Sequence, residues 1–412
     1  MSGSTYPRTI FILGTARDVG KTVTSVGIIG KLLSPEHGYH LDEVGYIKPV
    51  GQQVLTVIDD DGSPIDADKD AVVVTSLLNV RNVGYRHLSP VIWQGGLTAS
   101  FISDSIRGDP LEGRHAFMER IRESYDLVAR DRKVVIVEGT GQPGVGSVAG
   151  VSNGDVINML REMGVPVFVA MVTRGGIGAT IDEVFPYFMS LDHLGTRIDG
   201  LIINGVFRSK IDKIRESLEG YYDRIFLPIY GPYLHQPFPP ILGFVPSISE
   251  LSLPTMRLIA QQFGTDPKSS LEIISPEAFD EHGSRLIQRM KVINLRYGYE
   301  RYVDAGDAVV VGINANDSVL SVVLHHERLL SQHGKGLSGL ILSCRQVGGL
   351  SQQVRSELTR VEDLPAIAVD YDTADLLQRI DNMSVKLQPY DTYKRDLIAQ
   401  AYREAVSFWP DL

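Results

Sequence analysis

Residues Gly14 to Thr22 carry the clearest chemical signal in the chain, with the sequence Gly-Thr-Ala-Arg-Asp-Val-Gly-Lys-Thr. Glycines let successive backbone N–H groups point at phosphate oxygens, Lys21 can reach the β- and γ-phosphates, and the Thr22 hydroxyl can ligate Mg²⁺. Five residues separate the two glycines, where the common pattern has four. The apolar run at 9–13 predicts a strand, and residues 23–33 predict a helix whose N-terminus adds a positive dipole. The pattern therefore predicts a nucleotide-binding loop, with a purely structural glycine-rich turn as the alternative.

Three further polar residues stand where predicted strands end: Lys48, Glu138 and Asn204. Ligands of parallel α/β sheets bind at the carboxyl ends of the strands, so these side chains are expected on the same rim as the loop. A carboxylate in this place helps to hold Mg²⁺ in P-loop enzymes. A carboxamide is suited to reading the edge of a base. A surface role for Lys48 and a turn-capping role for Asn204 are the alternatives.

The predicted strands are continuous apolar runs, as expected when helices cover both faces of a parallel sheet. They span residues 9–13, 44–50, 133–138, 165–172, 199–204 and 241–245, with helices at 23–33, 115–130, 154–162 and 177–194. A second series predicts strands at 308–313, 339–343 and 366–370, with helices at 318–333, 350–359 and 373–379. We therefore predict an α/β fold with a doubly wound parallel sheet of the P-loop NTPase type and a second, smaller α/β domain. The polar stretch 264–270 indicates a boundary between domains at 1–263 and 271–412.

Length and composition are typical of a globular protein with more than one domain: 412 residues, of which 43% are hydrophobic and 22% charged. The net charge of −10 argues against a nucleic-acid partner, which would require a basic face. No apolar run reaches the roughly 20 residues that span a bilayer, and the N-terminus lacks the apolar segment of a signal peptide. A single cysteine excludes an internal disulfide. We expect a cytoplasmic protein that binds neither nucleic acid nor membrane.

Taken together, these segments resemble dethiobiotin synthetase and its relatives, cobyrinic acid a,c-diamide synthase and the N-terminal module of phosphotransacetylase. The loop of that family has the same five-residue spacing between its glycines. The family's Tyr-Lys-Pro-Val strand end is matched at 46–50, with Ile47 inserted. Its Asp-Ala pair at the start of a helix is matched by Asp70 and Ala71, and its Val-Glu-Gly-x-Gly turn is matched at 137–141.

The resemblance covers residues 8–250 and implies binding of ATP and Mg²⁺. The residues implied to contact the nucleotide are Gly14, Thr15, Asp18, Val19, Gly20, Lys21, Thr22, Val23 and Asn204. The implied Mg²⁺ ligands are Thr22, Asp70 and Glu138, with Asp66 and Asp68 as alternatives to Asp70. Lys21 and Lys48 are implied to be catalytic: the first stabilises charge on the transferring phosphoryl group, and the second holds the acyl phosphate or carbamate that the family forms.

Two functions are compatible with the resemblance. The first is ATP-dependent activation, by phosphorylation or ligation, of a carboxylate-type small molecule. The second is non-catalytic nucleotide sensing that regulates a metabolic enzyme, because stretches between 280 and 395 resemble the regulatory domain of long phosphotransacetylases. The glutaminase of the amide synthases needs a histidine after its cysteine, whereas every histidine here precedes Cys344. A homodimer is also implied, since the relatives place substrate groups at a dimer interface.

Overall fold

The computed structural model describes residues 6–109, 111–142, 144–266, 270–294 and 298–407. In chain order the strands are β1 (Arg8–Gly14), β2 (Val44–Ile47), β3 (Val50–Gly51), β4 (Val54–Ile58), β5 (Pro64–Asp68), β6 (Val91–Ile92), β7 (Val134–Glu138), β8 (Val167–Arg174), β9 (Gly200–Val206), β10 (Ile241–Pro246), β11 (Leu271–Ile273), β12 (Met290–Val292), β13 (Ala308–Gly312), β14 (Gly339–Ser343) and β15 (Ala366–Val369). The α-helices are α1 (Lys21–Leu32), α2 (Lys69–Leu78), α3 (Tyr85–Leu88), α4 (Leu97–Arg107), α5 (Glu112–Ala129), α6 (Asn153–Glu162), α7 (Ile177–His193), α8 (Ile211–Tyr221), α9 (Leu227–Tyr230), α10 (Met256–Gly264), α11 (Pro276–His282), α12 (Asn316–His333), α13 (Gln352–Arg360), α14 (Thr373–Asp381) and α15 (Thr392–Ala405). Within the described residues, none of these helices is both long and apolar enough to cross a bilayer.

Six strands form a parallel sheet in the order β10-β9-β8-β1-β7-β2. All five residues of β7 are buried, as are the last six of β1, which explains why these strands lack polar alternation. From β1 the chain leads first to β2 on one side of the sheet and later to β8, β9 and β10 on the other side. The carboxyl end of β1 therefore lies where the strand order reverses, the usual ligand site of such sheets. The predicted doubly wound parallel sheet is confirmed.

A β-hairpin that the sequence did not predict leads into the second helix of this sheet. Strands β4 and β5 pair in antiparallel fashion, and β5 ends at Asp68. The Asp68 carboxylate accepts hydrogen bonds from the backbone N–H groups of Asp70 and Ala71, so it caps α2. This cap places Asp70 in the first turn of α2.

A second, smaller unit consists of Ser249–Lys386 and contains a five-stranded sheet in the order β11-β15-β14-β13-β12. Strands β12 to β15 run parallel, and β11 pairs with β15 in antiparallel fashion. Val309 and Val311 pack with α12 and α13 on one face, while Ala308 and Val310 pack with α10 and α14 on the other. The predicted second α/β unit is confirmed. Strands β11 and β12 were not predicted, since three residues carry too little pattern.

The end of the chain returns to the larger unit, which comprises Met1–Ile248 together with Leu387–Leu412. This division differs from the domains expected at 1–263 and 271–412, since α10 packs into the core of the smaller unit and α15 belongs to the larger one. The composition of a segment shows where polar stretches lie, but it gives no information about contacts between distant segments, and those contacts define the two units. Residues 267–269 of the expected boundary lie outside the described residues.

Helix α15 packs along α1, the helix that follows the phosphate-binding loop. A Cβ atom at Gly27 would overlap the ring of Tyr402, and a Cβ atom at Gly30 would lie 2.6 Å from that of Ala399. These glycines are three residues apart and so share one face of α1. They allow the two helix backbones to approach closely.

The substitution Gly27→Ala is expected to lower the free energy of unfolding by about 1–3 kcal/mol, because the new methyl group overlaps a packed ring. Gly178→Ala in α7 is the matched control, since open space surrounds that glycine. There the higher helix propensity of alanine should leave stability unchanged or slightly increased. Urea unfolding followed by circular dichroism measures both variants. An unchanged midpoint for Gly27→Ala would contradict the close packing.

Candidate functional site

The loop after β1 contains two left-handed backbone positions, Asp18 with φ 55° and Gly20 with φ 98°. A left-handed residue next to a right-handed one turns successive backbone N–H groups into a concavity that suits an anion. A Cβ atom at Gly20 would overlap the amide nitrogen of Asn204, and one at Gly14 would lie 2.8 Å from the side chain of Lys21. Both glycines of the motif therefore leave room for a neighbouring side chain, and the left-handed φ at Gly20 also favours glycine.

Side chains from neighbouring elements hold the loop in place. The Thr15 hydroxyl donates a hydrogen bond to the Glu183 carboxylate on α7 (2.7 Å), and Asn204 Nδ2 donates to the Val19 carbonyl (3.0 Å). Glu183 was not predicted, because it lies 168 residues from its partner and belongs to no motif. The amide N–H of Asn204 binds the loop here, and its predicted contact with adenine stays a prediction.

The Lys21 side chain lies between the loop and the turn that follows β7. Its Nζ donates hydrogen bonds to the carbonyls of Ala16 (3.0 Å) and Gly141 (2.8 Å). Burial lowers the pKa of Lys21 to about 8, although the Glu138 carboxylate favours the charged form. At neutral pH the ammonium is therefore charged, with uncharged carbonyl oxygens as its hydrogen-bond partners.

Glu138, at the end of β7, is a fully buried carboxylate surrounded by hydroxyl groups. It accepts hydrogen bonds from Thr22 Oγ1 (2.9 Å), Ser25 Oγ (2.6 Å) and Tyr46 OH (3.0 Å). Burial raises the pKa of Glu138, whereas the nearby Lys48 ammonium and the hydroxyl donors favour its ionised form. Ser25 was not predicted, although it stands three residues after Thr22 and so shares its face of α1.

Lys48 follows β2 and places its ammonium group among three carboxylates. Its Nζ lies 3.1 Å from Asp68 Oδ1 and 3.6 Å from Glu138 Oε1, and it donates a hydrogen bond to Asp70. Burial alone would lower the pKa of Lys48, but the carboxylates raise it above its ordinary value, so this group stays charged. Three carboxylates thus surround one ammonium group and supply the oxygen ligands that suit a metal cation.

The structure distinguishes the three aspartates that the sequence left as alternatives. Asp66 is exposed on the hairpin and accepts a hydrogen bond from Thr56 (2.9 Å). Asp68 contacts Lys48, but its side chain is 1% exposed and its oxygens cap α2. The Asp70 side chain also contacts Lys48 and keeps 31% of its surface exposed, so a ligand has access to it.

The oxygen atoms of this site suit Mg²⁺. The Thr22 hydroxyl and the carboxylates of Asp70 and Glu138 are hard ligands of the kind that Mg²⁺ prefers. Within the described residues, no group of three or more His, Cys, Asp or Glu side chains is arranged to hold a metal ion. A metal bound here would take further ligands from phosphate and water, as is usual for Mg²⁺ at nucleotide sites.

Five predicted residues thus converge at the carboxyl end of the sheet: Lys21, Thr22, Lys48, Asp70 and Glu138. The other predicted residues lie in the loop, at the start of α1 or beside them: Gly14, Thr15, Asp18, Val19, Gly20, Val23 and Asn204. Val23 is half-buried in the first turn of α1. The contacts of all these residues with a nucleotide or metal stay predictions.

A family model described as an AAA domain matches residues 8–255, which is more than half of the 412-residue chain. The chain belongs to this AAA-domain family. It is similar to the ATP-dependent dethiobiotin synthetase BioD of Clostridium kluyveri, with 26% identity over 198 residues, covering 47% of this chain and 73% of the relative. It is also similar to cobyric acid synthase of Halorhodospira halophila, with 26% identity over 258 residues, covering 60% of this chain and 48% of the relative.

These similarities confirm the predicted membership of a dethiobiotin synthetase-like P-loop family, and with it a P-loop nucleotide-binding domain. Among solved structures, the signal recognition particle receptor FtsY from Elizabethkingia anophelis, in complex with GDP, matches with a TM-score of 0.29 and 15% identity. The match covers 59% of this chain and 58% of that one. The resemblance of residues 280–395 to a phosphotransacetylase regulatory domain stays a prediction.

The affinity for Mg-ATP is expected to fall as the pH rises above 8, because Lys21 then loses the charge that favours phosphate. Phosphate binding favours protonated Lys21, so above pH 8 binding should take up a proton, and the affinity should weaken there by up to about tenfold per pH unit. Calorimetric titrations in buffers of different ionisation enthalpy measure both effects. Lys21→Arg stays charged and should remove this pH dependence. An unchanged dependence in that variant would assign it to another group.

Proposed function

We propose that this protein is a Mg-ATP-dependent enzyme that activates a carboxylate-type small molecule by phosphorylation or ligation. The observation that carries the proposal is the position of Lys48, a second buried lysine at the nucleotide loop, 3.6 Å from Glu138. A module that only binds nucleotide needs the loop lysine and a metal site. An anionic acceptor that approaches a phosphoryl group needs an additional cation to offset the charge repulsion. Lys48 can supply it once Mg²⁺ binds Asp70 and Glu138 and offsets their charge.

The chemistry requires positioning and charge stabilisation more than covalent help from the protein. An oxygen of the acceptor forms a bond to the terminal phosphorus of ATP, while the bond from that phosphorus to the ADP oxygen breaks. Lys21 would stabilise charge on the transferring group, and Lys48 would hold the anionic acceptor beside it. The relatives named as ATP-dependent dethiobiotin synthetase support this class of reaction.

Thr22, Asp70 and Glu138 would hold Mg²⁺ at this site. The ion supplies positive charge that neutralises the phosphate oxygens. The Thr22 hydroxyl now donates to Glu138, so both ligands are already adjacent. The Lys48 ammonium reduces the repulsion between Asp70 and Glu138, which keeps these carboxylates close to each other.

Nucleotide sensing without catalysis is the second candidate function. It is favoured by the position of the smaller unit, Ser249–Lys386, which is inserted between β10 and α15 of the nucleotide-binding unit. The resemblance of residues 280–395 to a phosphotransacetylase regulatory domain implies the same function. The partner in this case would be a metabolic enzyme, and ATP would be bound without turnover. We propose a homodimer and a cytoplasmic location for either function.

Phosphate release from Mg-ATP is expected to rise with one compound in a panel of carboxylates and diamines. Lys21→Ala and Lys48→Ala should each lower this turnover by about 10²–10³-fold, the usual effect of removing one charge-stabilising group. Lys133→Ala is the matched control, since Lys133 lies just before β7, at the opposite end of that strand from Glu138, and is exposed. Its turnover should equal that of the unmodified protein.

Binding and folding controls separate the two functions. Circular dichroism verifies that each variant is folded, and calorimetry gives its affinity for ATP. Lys21→Ala should also lose nucleotide affinity, because its ammonium group is the cation of the loop. Tight ATP binding with no turnover across the whole panel would favour sensing. Unchanged ATP affinity in folded Lys21→Ala would contradict the site assignment.

A further inference from the structure

A short chain of hydrogen bonds joins α15 to the phosphate-binding loop. The Tyr402 hydroxyl lies 2.6 Å from Thr24 Oγ1, and Thr24 Oγ1 donates to the Gly20 carbonyl (2.9 Å). A threonine hydroxyl has one proton, which is committed to Gly20 here, so Tyr402 is the donor of the first bond. Gly20 is the left-handed residue directly before Lys21. The side chain of Tyr402 therefore acts on the loop backbone through a single intermediate.

The surroundings of Tyr402 keep this donor in place. Its ring is fully buried against Gly27, and any residue larger than glycine at position 27 would overlap the ring. Burial raises the pKa of Tyr402, so the hydroxyl stays protonated and continues to donate at ordinary pH. A buried hydroxyl without a partner would be costly, which favours this one arrangement of Tyr402 and Thr24.

Helix α15 also contacts the second helix that carries a site residue. Arg395 Nη1 donates to the Leu77 carbonyl of α2 (3.4 Å), and Asp70 lies in the first turn of that helix. At the other end of α15, Lys31 of α1 donates to the Val406 carbonyl (2.6 Å). The same helix thus supports both α1 and α2.

We propose that Tyr402 is a positioning residue for the nucleotide site. Its hydrogen bond to Thr24 orients the hydroxyl that supports the Gly20 carbonyl, which also accepts the Thr24 backbone N–H (2.8 Å), and so supports the backbone that leads into Lys21. This inference rests on the proposed function in one respect, because its test measures the affinity for Mg-ATP.

The test compares Tyr402→Phe with Tyr125→Phe. Tyr125 is also buried, and its hydroxyl lies 2.5 Å from Thr9 Oγ1 near the amino end of β1, away from the loop. Both variants lose one buried tyrosine–threonine hydrogen bond, so both should lower the thermal midpoint. Tyr402→Phe should also weaken Mg-ATP binding by about threefold to tenfold, the effect of one hydrogen bond. Tyr125→Phe should leave the affinity within about twofold.

Substitutions at Thr24 test the chain of contacts itself. Thr24→Ser keeps the hydroxyl and should keep the affinity, whereas Thr24→Val should weaken it. The double variant Thr24→Val/Tyr402→Phe should bind no more weakly than Thr24→Val, because both changes break the same link. Fully additive losses, an unchanged affinity in Tyr402→Phe, or an equal loss in Tyr125→Phe would overturn the inference.

Two further results keep the test decisive. If the unmodified protein binds no Mg-ATP, the proposed function fails; if it binds and Tyr402→Phe binds equally well, this inference alone fails. Should Tyr402→Phe not fold, hydrogen exchange of the unmodified protein provides the second measurement. By reciprocity, Mg-ATP should slow exchange in α15 and leave α5 unchanged. Equal exchange in α15 with and without Mg-ATP would overturn the inference.

Discussion

The buried carboxylate of Glu138 constrains the whole nucleotide-binding unit. An ionised carboxylate without partners costs several kcal/mol inside a protein, so the fold has to supply donors around it. α1 supplies two hydroxyl groups, from Thr22 and Ser25, and β2 supplies a third from Tyr46. Lys48 adds the opposite charge. To satisfy one side chain, the loop helix and two strands have to meet at one edge of the sheet, where the candidate site lies.

The two lysines of the site are held in opposite ways. Lys21 is bound by carbonyl oxygens, and burial lowers its pKa to about 8. Lys48 is surrounded by carboxylates, which raise its pKa although it is buried more deeply. The charge of Lys21 is therefore less strongly neutralised by protein groups than that of Lys48 and is the more available to phosphate. This difference is the physical basis for giving them separate roles in the proposed reaction.

The nucleotide-binding unit is built from both ends of the chain. Its first 248 residues form the sheet and the loop, and α15 closes against α1 after the smaller unit has been completed. Gly27 and Gly30 of α1 leave the space that Tyr402 and Ala399 of α15 fill, so larger residues at either glycine would prevent this contact. A change that displaces α15 would therefore alter the packing of the helix that begins with Lys21.

Local patterns were sufficient to predict the loop, the alternating strands and helices, the family and the rim where the site lies. The glycines, the apolar runs and the polar strand ends are properties of short segments, and such segments largely specify their own conformation. The hairpin of β4 and β5 and the three-residue strands β11 and β12 were not predicted, because short or exposed strands have a weak hydrophobic pattern.

Contacts between distant segments decided the rest. Thr22 meets Glu138 across 116 residues, and Thr24 meets Tyr402 across 378. Tertiary contacts also give Asp68 and Asp70 different surroundings, because Asp68 caps α2 whereas Asp70 stays accessible. Glu183 and α15 belong to no sequence motif, and only the tertiary structure places them beside the loop and α1. Packing brings together side chains that are far apart in the sequence, and local patterns carry no information about such contacts.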